Sequence, residues 1–199
     1  MNSIQISLDI QGAQRFHGHF CPGLSMGIRV SEIVLREIGP HSSDEEVVCI
    51  AETDNCALDA IQYFTGCSTG KGNLIQRDYG KNVFTFIRRS DGKAVRISAR
   101  PAPKTGEGRL PAGPPPQQSR EERIQAILGA PLEELFEVRR VEIEMPAKAR
   151  ILASIPCAEC GEATMSTRVR YFRGQPYCIP CFETLTQEPS AGQRRRSGV

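Results

Sequence analysis

Four cysteines near the C-terminal end, Cys157, Cys160, Cys178 and Cys181, form two C-x2-C pairs with 17 residues between them. Each C-x2-C turn offers two thiolates to one ion, so the spacing fits a tetrahedral Zn(Cys)4 site. This constrains the fold. The stretch from Pro156 to Leu185 is too short to bury much apolar surface, and zinc must supply its folding energy. Met165 to Phe172, Gly174 and Tyr177 suit a knuckle, a β-hairpin and a second cysteine pair leading into a short helix over Cys181–Leu185. That is a treble-clef or ribbon-like module. A closed four-thiolate shell leaves no position for substrate, so its role is structural. A redox or iron site is one rival reading. Another is nucleic-acid binding through Arg168, Arg170, Arg173, Tyr171 and Phe172. A solvated hairpin accounts for the same residues, and nucleic acid is not the expected partner.

The module divides the chain. We expect an α+β core domain over residues 1–150, the zinc module over 151–186 and a disordered basic tail over 187–199, which carries Arg194, Arg195 and Arg196. A length of 199 residues and a hydrophobic fraction of 39% support a core of that size. The net charge of +2 argues for neither nucleic acid nor membrane. No apolar run reaches the ~20 residues that span a bilayer. The first twenty residues lack a basic start, an apolar run and a cleavage site, so we expect a cytoplasmic protein. Cysteines there are expected to be metal ligands, redox groups or buried thiols rather than disulfides.

Within the core, periodicity predicts a helix from Pro22 to Ile38, with proline at its first position and Gly39-Pro40 as its stop. A strand follows over Glu46–Thr53. A second helix is capped by Asp54 or Asn55 and halted at Gly66. Strands over Asn82–Arg89 and Lys93–Ala99 flank a Ser90-Asp91-Gly92 turn. The stretch from Pro101 to Gln118 reads as an exposed Pro/Gly-rich loop. Ser119 with Glu122 forms a capping-box pattern for a helix ending near Gly129. A turn or two of helix over Pro131–Phe136 precedes a strand over Glu137–Glu144, whose apolar members are Val138, Val141 and Ile143.

The second concentration of chemistry is His17-Gly18-His19-Phe20-Cys21-Pro22-Gly23. In an extended segment residues 17, 19 and 21 share one side. Cys21 also precedes a helix, where the N-terminal dipole favours thiolate. Cys56 repeats the device in the first turn of the second helix, where it too is expected to be partly ionised, with Asp59 on its face. His17, His19, Cys21 and Cys56 together would give mixed N/S ligation suited to zinc or iron. With three ligands bound, one position stays open for water or substrate. Asp59 is then a partner for a histidine or a general base. Cys21, Cys56 and Asp59 are the candidate catalytic residues. Cys49 alternates with Val47 and Ala51 and reads as core. Cys67 is either a resolving thiol or inert. Gly70-Lys71-Gly72 is not a phosphate loop, because Thr65 stands where that motif needs glycine and Gly72 where it needs Ser or Thr.

The blocks HGHFCPGLSMGIR, DNCALDAIQYFTGCSTGKGNL and YGKNVFTF resemble the E-subunit family of formylmethanofuran dehydrogenase. The likeness covers approximately Phe16 to Arg100, and the cysteine module looks like the zinc finger appended in some members. The resemblance implies an α+β core, metal binding near the His/Cys blocks, and dimers. It points to a subunit or accessory of a molybdenum- or tungsten-type oxidoreductase. A metal-trafficking or metal-sensing binder without turnover is the alternative, and a zinc-module nucleic-acid adaptor is a third.

Overall fold

The computed structural model describes residues 8–42, 44–101 and 118–186. Most of the Pro-rich stretch and the whole of the basic tail lie outside these residues. The chain is α+β, and it divides into two compact units at the Ala149–Arg150 junction.

The first unit carries a five-stranded sheet. Its strands are β1 (Val47–Ala51), β2 (Leu74–Gln76), β3 (Val83–Arg88), β4 (Ala94–Ala99) and β5 (Phe136–Arg140), in the order β2-β1-β3-β4-β5. β2 runs parallel to β1, and every other pair is antiparallel. Five helices accompany it: α1 (Ile10–His17), α2 (Pro22–Glu37), α3 (Ala57–Thr65), α4 (Arg120–Gly129) and the single turn α5 (Leu132–Leu135). The alternation of the strands sorts the sheet into two faces. Val47, Cys49, Ala51, Phe84, Phe86, Val95 and Ile97 meet Val30, Ile33 and Val34 of α2 and Leu58 and Ile61 of α3. On the other face, Ile50, Ile87 and Ala94 are covered by Ile75, Val141 and Met145.

α2 and α3 cross very closely. A Cβ on Gly27 would lie 2.7 Å from Ala57 Cα and closer still to the Ala57 carbonyl oxygen. Only glycine permits that approach. The contact draws the first turns of both helices together.

Several expectations shift. Residues 10–17 form a helix, so His17 is not part of an extended segment. Asp9 caps this helix by accepting from the Gly12 N–H at 2.8 Å, and Gly18 ends it at φ 89°. The N-cap of α3 is Cys56, although Asn55 still contributes by accepting from the Ala57 N–H at 3.0 Å. β2 was not foreseen. β5 starts at Phe136, buried at 2% exposure, and stops at Arg140 rather than Glu144. The reason is its partner: β4 begins at Ala94, whose carbonyl takes the last bond from the Val141 N–H. Beyond it the chain turns so that Val141 and Met145 cover the opposite face. Val138, one of the apolar members of β5, is 42% exposed at the sheet edge. The capping box on α4 forms in both directions through Ser119 and Glu122.

The second unit contains two short hairpins, β6 (Ser154–Pro156) with β7 (Ala163–Met165) and β8 (Arg170–Phe172) with β9 (Gln175–Tyr177), followed by α6 (Ile179–Thr186). No helix among the described residues is long and apolar enough to cross a membrane.

Candidate metal centres

In the second unit Cys157 leaves β6 and enters a tight turn. The Gly161 N–H returns to the Cys157 carbonyl at 2.9 Å, and Gly161 takes φ 74°. Cys178 follows β9, and Cys181 lies in the first turns of α6. The four sulfurs all lie within 4.8 Å of one another, and those of Cys160 and Cys178 are 3.9 Å apart. A tetrahedral zinc with Zn–S bonds near 2.3 Å sets its sulfurs about 3.8 Å apart. The spacing therefore fits zinc. Backbone N–H groups, first that of Cys160 and then that of Cys178, hold the Cys157 thiol down to about 6. The contact with Cys178 pushes the Cys181 thiol up. Crowded thiols compete for protons in this way, and a divalent cation removes the competition by taking their place.

The core unit gathers a second set. One atom each of His17, Cys21 and Cys56 lies within 4.8 Å of the others. The three come from separate elements. His17 is the last residue of α1, Cys21 is the N-cap of α2, and Cys56 is the N-cap of α3. α1 is held against α3 by the Tyr63 hydroxyl, which donates to Asp9 Oδ2 at 2.8 Å. Cys21 Sγ accepts from the Leu24 N–H at 3.3 Å, which fixes its rotamer.

The His17 ring is oriented from behind. Its Nδ1 lies 2.6 Å from Asp59 Oδ2, and its Nε2 lies 3.7 Å from Cys21 Sγ. A carboxylate only accepts, so Nδ1 carries the proton and the Nε2 lone pair faces the sulfur. This is the arrangement by which a carboxylate orients a metal-binding histidine. For a tetrahedral ion bound by one sulfur and one imidazole nitrogen, the two atoms stand about 3.6 Å apart. The observed 3.7 Å fits such an ion.

Cys56 departs from expectation. Its thiol is pushed up, first by burial and then by the hydrogen bond with Cys21, the opposite direction from that expected of a helix start. It accepts no cap hydrogen bond from α3, and its own backbone N–H lowers the thiol by less than burial and Cys21 raise it. His19 is exposed, with its ring centroid 4.4 Å from that of His17 and the two planes tilted by 40°. It is not among the three residues brought together, because the left-handed turn at Gly18 changes the chain direction after His17.

Cys49 and Cys67 are both fully buried. Burial pushes both thiols up, that of Cys67 to about 11. Cys67 follows the C-terminal end of α3 and Cys56 precedes its start, so the helix rise of roughly 14 Å separates them. Cys67 bonds the Val47 carbonyl instead. Lys71 donates to the carbonyls of Ser42 and Asp44, both at 3.3 Å, which gives it a structural role in its loop.

The sequence reading missed two glycines. A Cβ on Gly23 would lie 3.0 Å from Cys56 Cβ, and Gly27 sits one turn further along the same face of α2. The Gly-x3-Gly spacing in a helical segment was the available signal.

Comparison with known proteins agrees with this anatomy. Residues 16–137 match the family described as FmdE, molybdenum formylmethanofuran dehydrogenase operon, and residues 150–187 match the prokaryotic dksA/traR C4-type zinc finger. A probable S-adenosyl-L-methionine-binding protein of Archaeoglobus fulgidus is 34% identical over 191 residues, covering 85% of this chain. The chain spans about half of that relative, 51% of its length. The crystal structure of a tungsten formylmethanofuran dehydrogenase FmdE-like protein from Syntrophus aciditrophicus superposes with a TM-score of 0.63 at 20% identity, over 90% of this chain and 92% of that one. That likeness shows the fold. With the family match spanning most of the core and the four-cysteine finger following it, this chain is a metal-binding member of the FmdE family.

Proposed function

We propose that the core unit holds a transition metal, zinc or iron, on His17, Cys21 and Cys56, and that the protein acts as a subunit or accessory of a molybdenum- or tungsten-type oxidoreductase. The observation that carries the metal assignment is the convergence of one imidazole and two sulfurs from three helices, with the imidazole already oriented by Asp59. Three protein ligands leave a coordination position for water or substrate, where a bound ion supplies Lewis-acid chemistry. The chain's own residues set the conditions. Asp59 holds His17 in the tautomer that presents Nε2. Leu24 fixes the Cys21 sulfur, and the burial of Cys21 at 8% exposure limits access of bulk water. The oxidoreductase role is supported by the family and by the solved FmdE-like relative.

The test is metal analysis of the purified full chain, with variants. We expect two ions per chain, falling to one in Cys56→Ser and in His17→Ala while the finger keeps its zinc. One ion in the unaltered protein defeats the core assignment. A second reading, transfer of metal without turnover, is favoured by the incomplete three-residue ligand set. A reconstituted oxidoreductase complex separates the two. Loss of redox activity in Cys56→Ser supports the first reading, and loss of transferable metal alone supports the second.

A further inference from the structure

The core has a cleft that the metal assignment leaves unused. Its volume is about 540 Å³, within the usual range for small-molecule sites. It runs between the first turn of α2 and the facing side of α4 and α5. Arg29 ties these helices together by donating to the Ala130 carbonyl at 2.7 Å. Gly23 is part of the cleft lining. A Cβ placed there would stand 3.7 Å from the Cys56 sulfur and 3.9 Å from the Cys21 sulfur. Gly23 therefore brings one part of the cleft wall next to both sulfurs.

The walls define what fits. Met26, Ile127 and Leu135 give the cleft an apolar lining. Arg123 of α4 is half-buried, and its side chain makes no hydrogen bond or ion pair among the described residues. Asn82 is oriented by its neighbour. Asn55 Oδ1 accepts from the Ala57 N–H, so Asn55 Nδ2 donates, and Asn82 Oδ1 accepts that bond at 2.5 Å. Both N–H groups of the Asn82 amide then remain for another acceptor. Arg100 contributes a second guanidinium, anchored through Nε on the Glu133 carbonyl at 2.8 Å. Among the described residues, Glu134 is the one carboxylate in the lining. Two guanidinium groups against one carboxylate leave a single positive charge, which suits a monoanion better than a phosphate dianion. A guanidinium and an amide together match the planar geometry of a carboxylate.

We propose that this cleft binds a small organic monoanion with an apolar body, its charged end on Arg123 and Asn82 and its other end toward the Cys21 and Cys56 sulfurs. The proposal names a substrate class for the site described above, and it rests on that reading for the direction of the ligand's uncharged end. The anion assignment stands on the cleft alone.

The experiment uses the full zinc-loaded chain and three probes that share a short alkyl chain: butyrate, butyramide and butylamine. Ligand-observed NMR titration should give saturable binding of butyrate, at least tenfold tighter than butyramide, and no binding of butylamine. Arg123→Ala should weaken butyrate at least tenfold without changing the melting temperature, and Arg123→Lys should restore part of the loss. Equal binding of butyrate and butyramide, no saturable binding of butyrate, or unchanged affinity in a folded Arg123→Ala variant would overturn the assignment. Direction is read separately in cobalt-substituted protein. The butyrate methyl signal should broaden more than its carboxyl carbon, and Cys56→Ser should abolish the difference. Absence of cobalt from the core site would sink the metal reading, while the butyrate and Arg123 comparisons would still decide the cleft.

Discussion

Asp59 shows how much a single side chain can decide. It contributes no ligand atom to the set of three, yet it determines which nitrogen of His17 faces the sulfurs. Replacing it with asparagine keeps the size and removes the charge. Loss of such an outer partner costs roughly 10- to 100-fold in metal affinity. We expect Asp59→Asn to weaken the core metal by that factor in a chelator competition and to leave the finger's zinc unchanged. Asp9 gives a second residue-level prediction. The Gly12 N–H, then the Tyr63 hydroxyl, hold its carboxyl below the usual carboxylate range, and the same bond to Asp9 pushes the Tyr63 hydroxyl up. The lowered carboxyl stabilises the attachment of α1 above its unfolded value of about 4 and ceases to do so as pH falls through the folded value. The raised phenol stabilises below about 10 and stops as pH rises through its folded value. Hydrogen exchange of the α1 amides should therefore accelerate at both extremes, and Tyr63→Phe should remove the alkaline limb.

At the scale of elements, the crossing of α2 over α3 positions the site. Gly27→Ala forces the helices apart or strains them, at a cost of about 1–3 kcal/mol. The expected outcome is a lower melting temperature together with loss of core metal, because Cys21 and Cys56 separate as the helices do. Retention of full core metal in a destabilised variant would show that the crossing does not set the sulfur spacing. Element-level features also mark where the sequence could be read and where it could not. The pairs Cys157/Cys160 and Cys178/Cys181 were legible because each ligand pair is local and the spacing itself states the geometry. α2 was legible from Pro22 and its apolar period, and the hairpin from Ser90-Asp91-Gly92. β2 was not, because three residues after a glycine-rich loop carry no period, and they become a strand only by pairing with Cys49–Ala51. The end of β5 depends on the length of β4, a long-range fact. His19 looked equivalent to His17 in a linear alternation. The left-handed turn at Gly18, which separates them, follows from a helix that is signalled only by Asp9 and by Gly18 itself.

For the whole molecule, the two compact units predict independent responses to metal removal. The finger lacks a core of its own: among its described residues only Cys157 and Val169 are buried apolar residues. A chelator strong enough to strip zinc should unfold residues 150–186 and leave the sheet protected, as read by amide exchange or limited proteolysis. Global unfolding in a single step would contradict this. The core unit responds by a different rule. Its three donor residues sit at the ends of three helices, 39 positions apart at the extremes. An unfolded chain cannot present them at one point, so an ion held there favours only the assembled form and stabilises it by about 2.7 kcal/mol at a hundredfold excess over its dissociation constant. With the proposed ion on these residues, the supply of metal around the protein would set how firmly α1 stays docked, and scarcity would show first as fraying of the N-terminal helix.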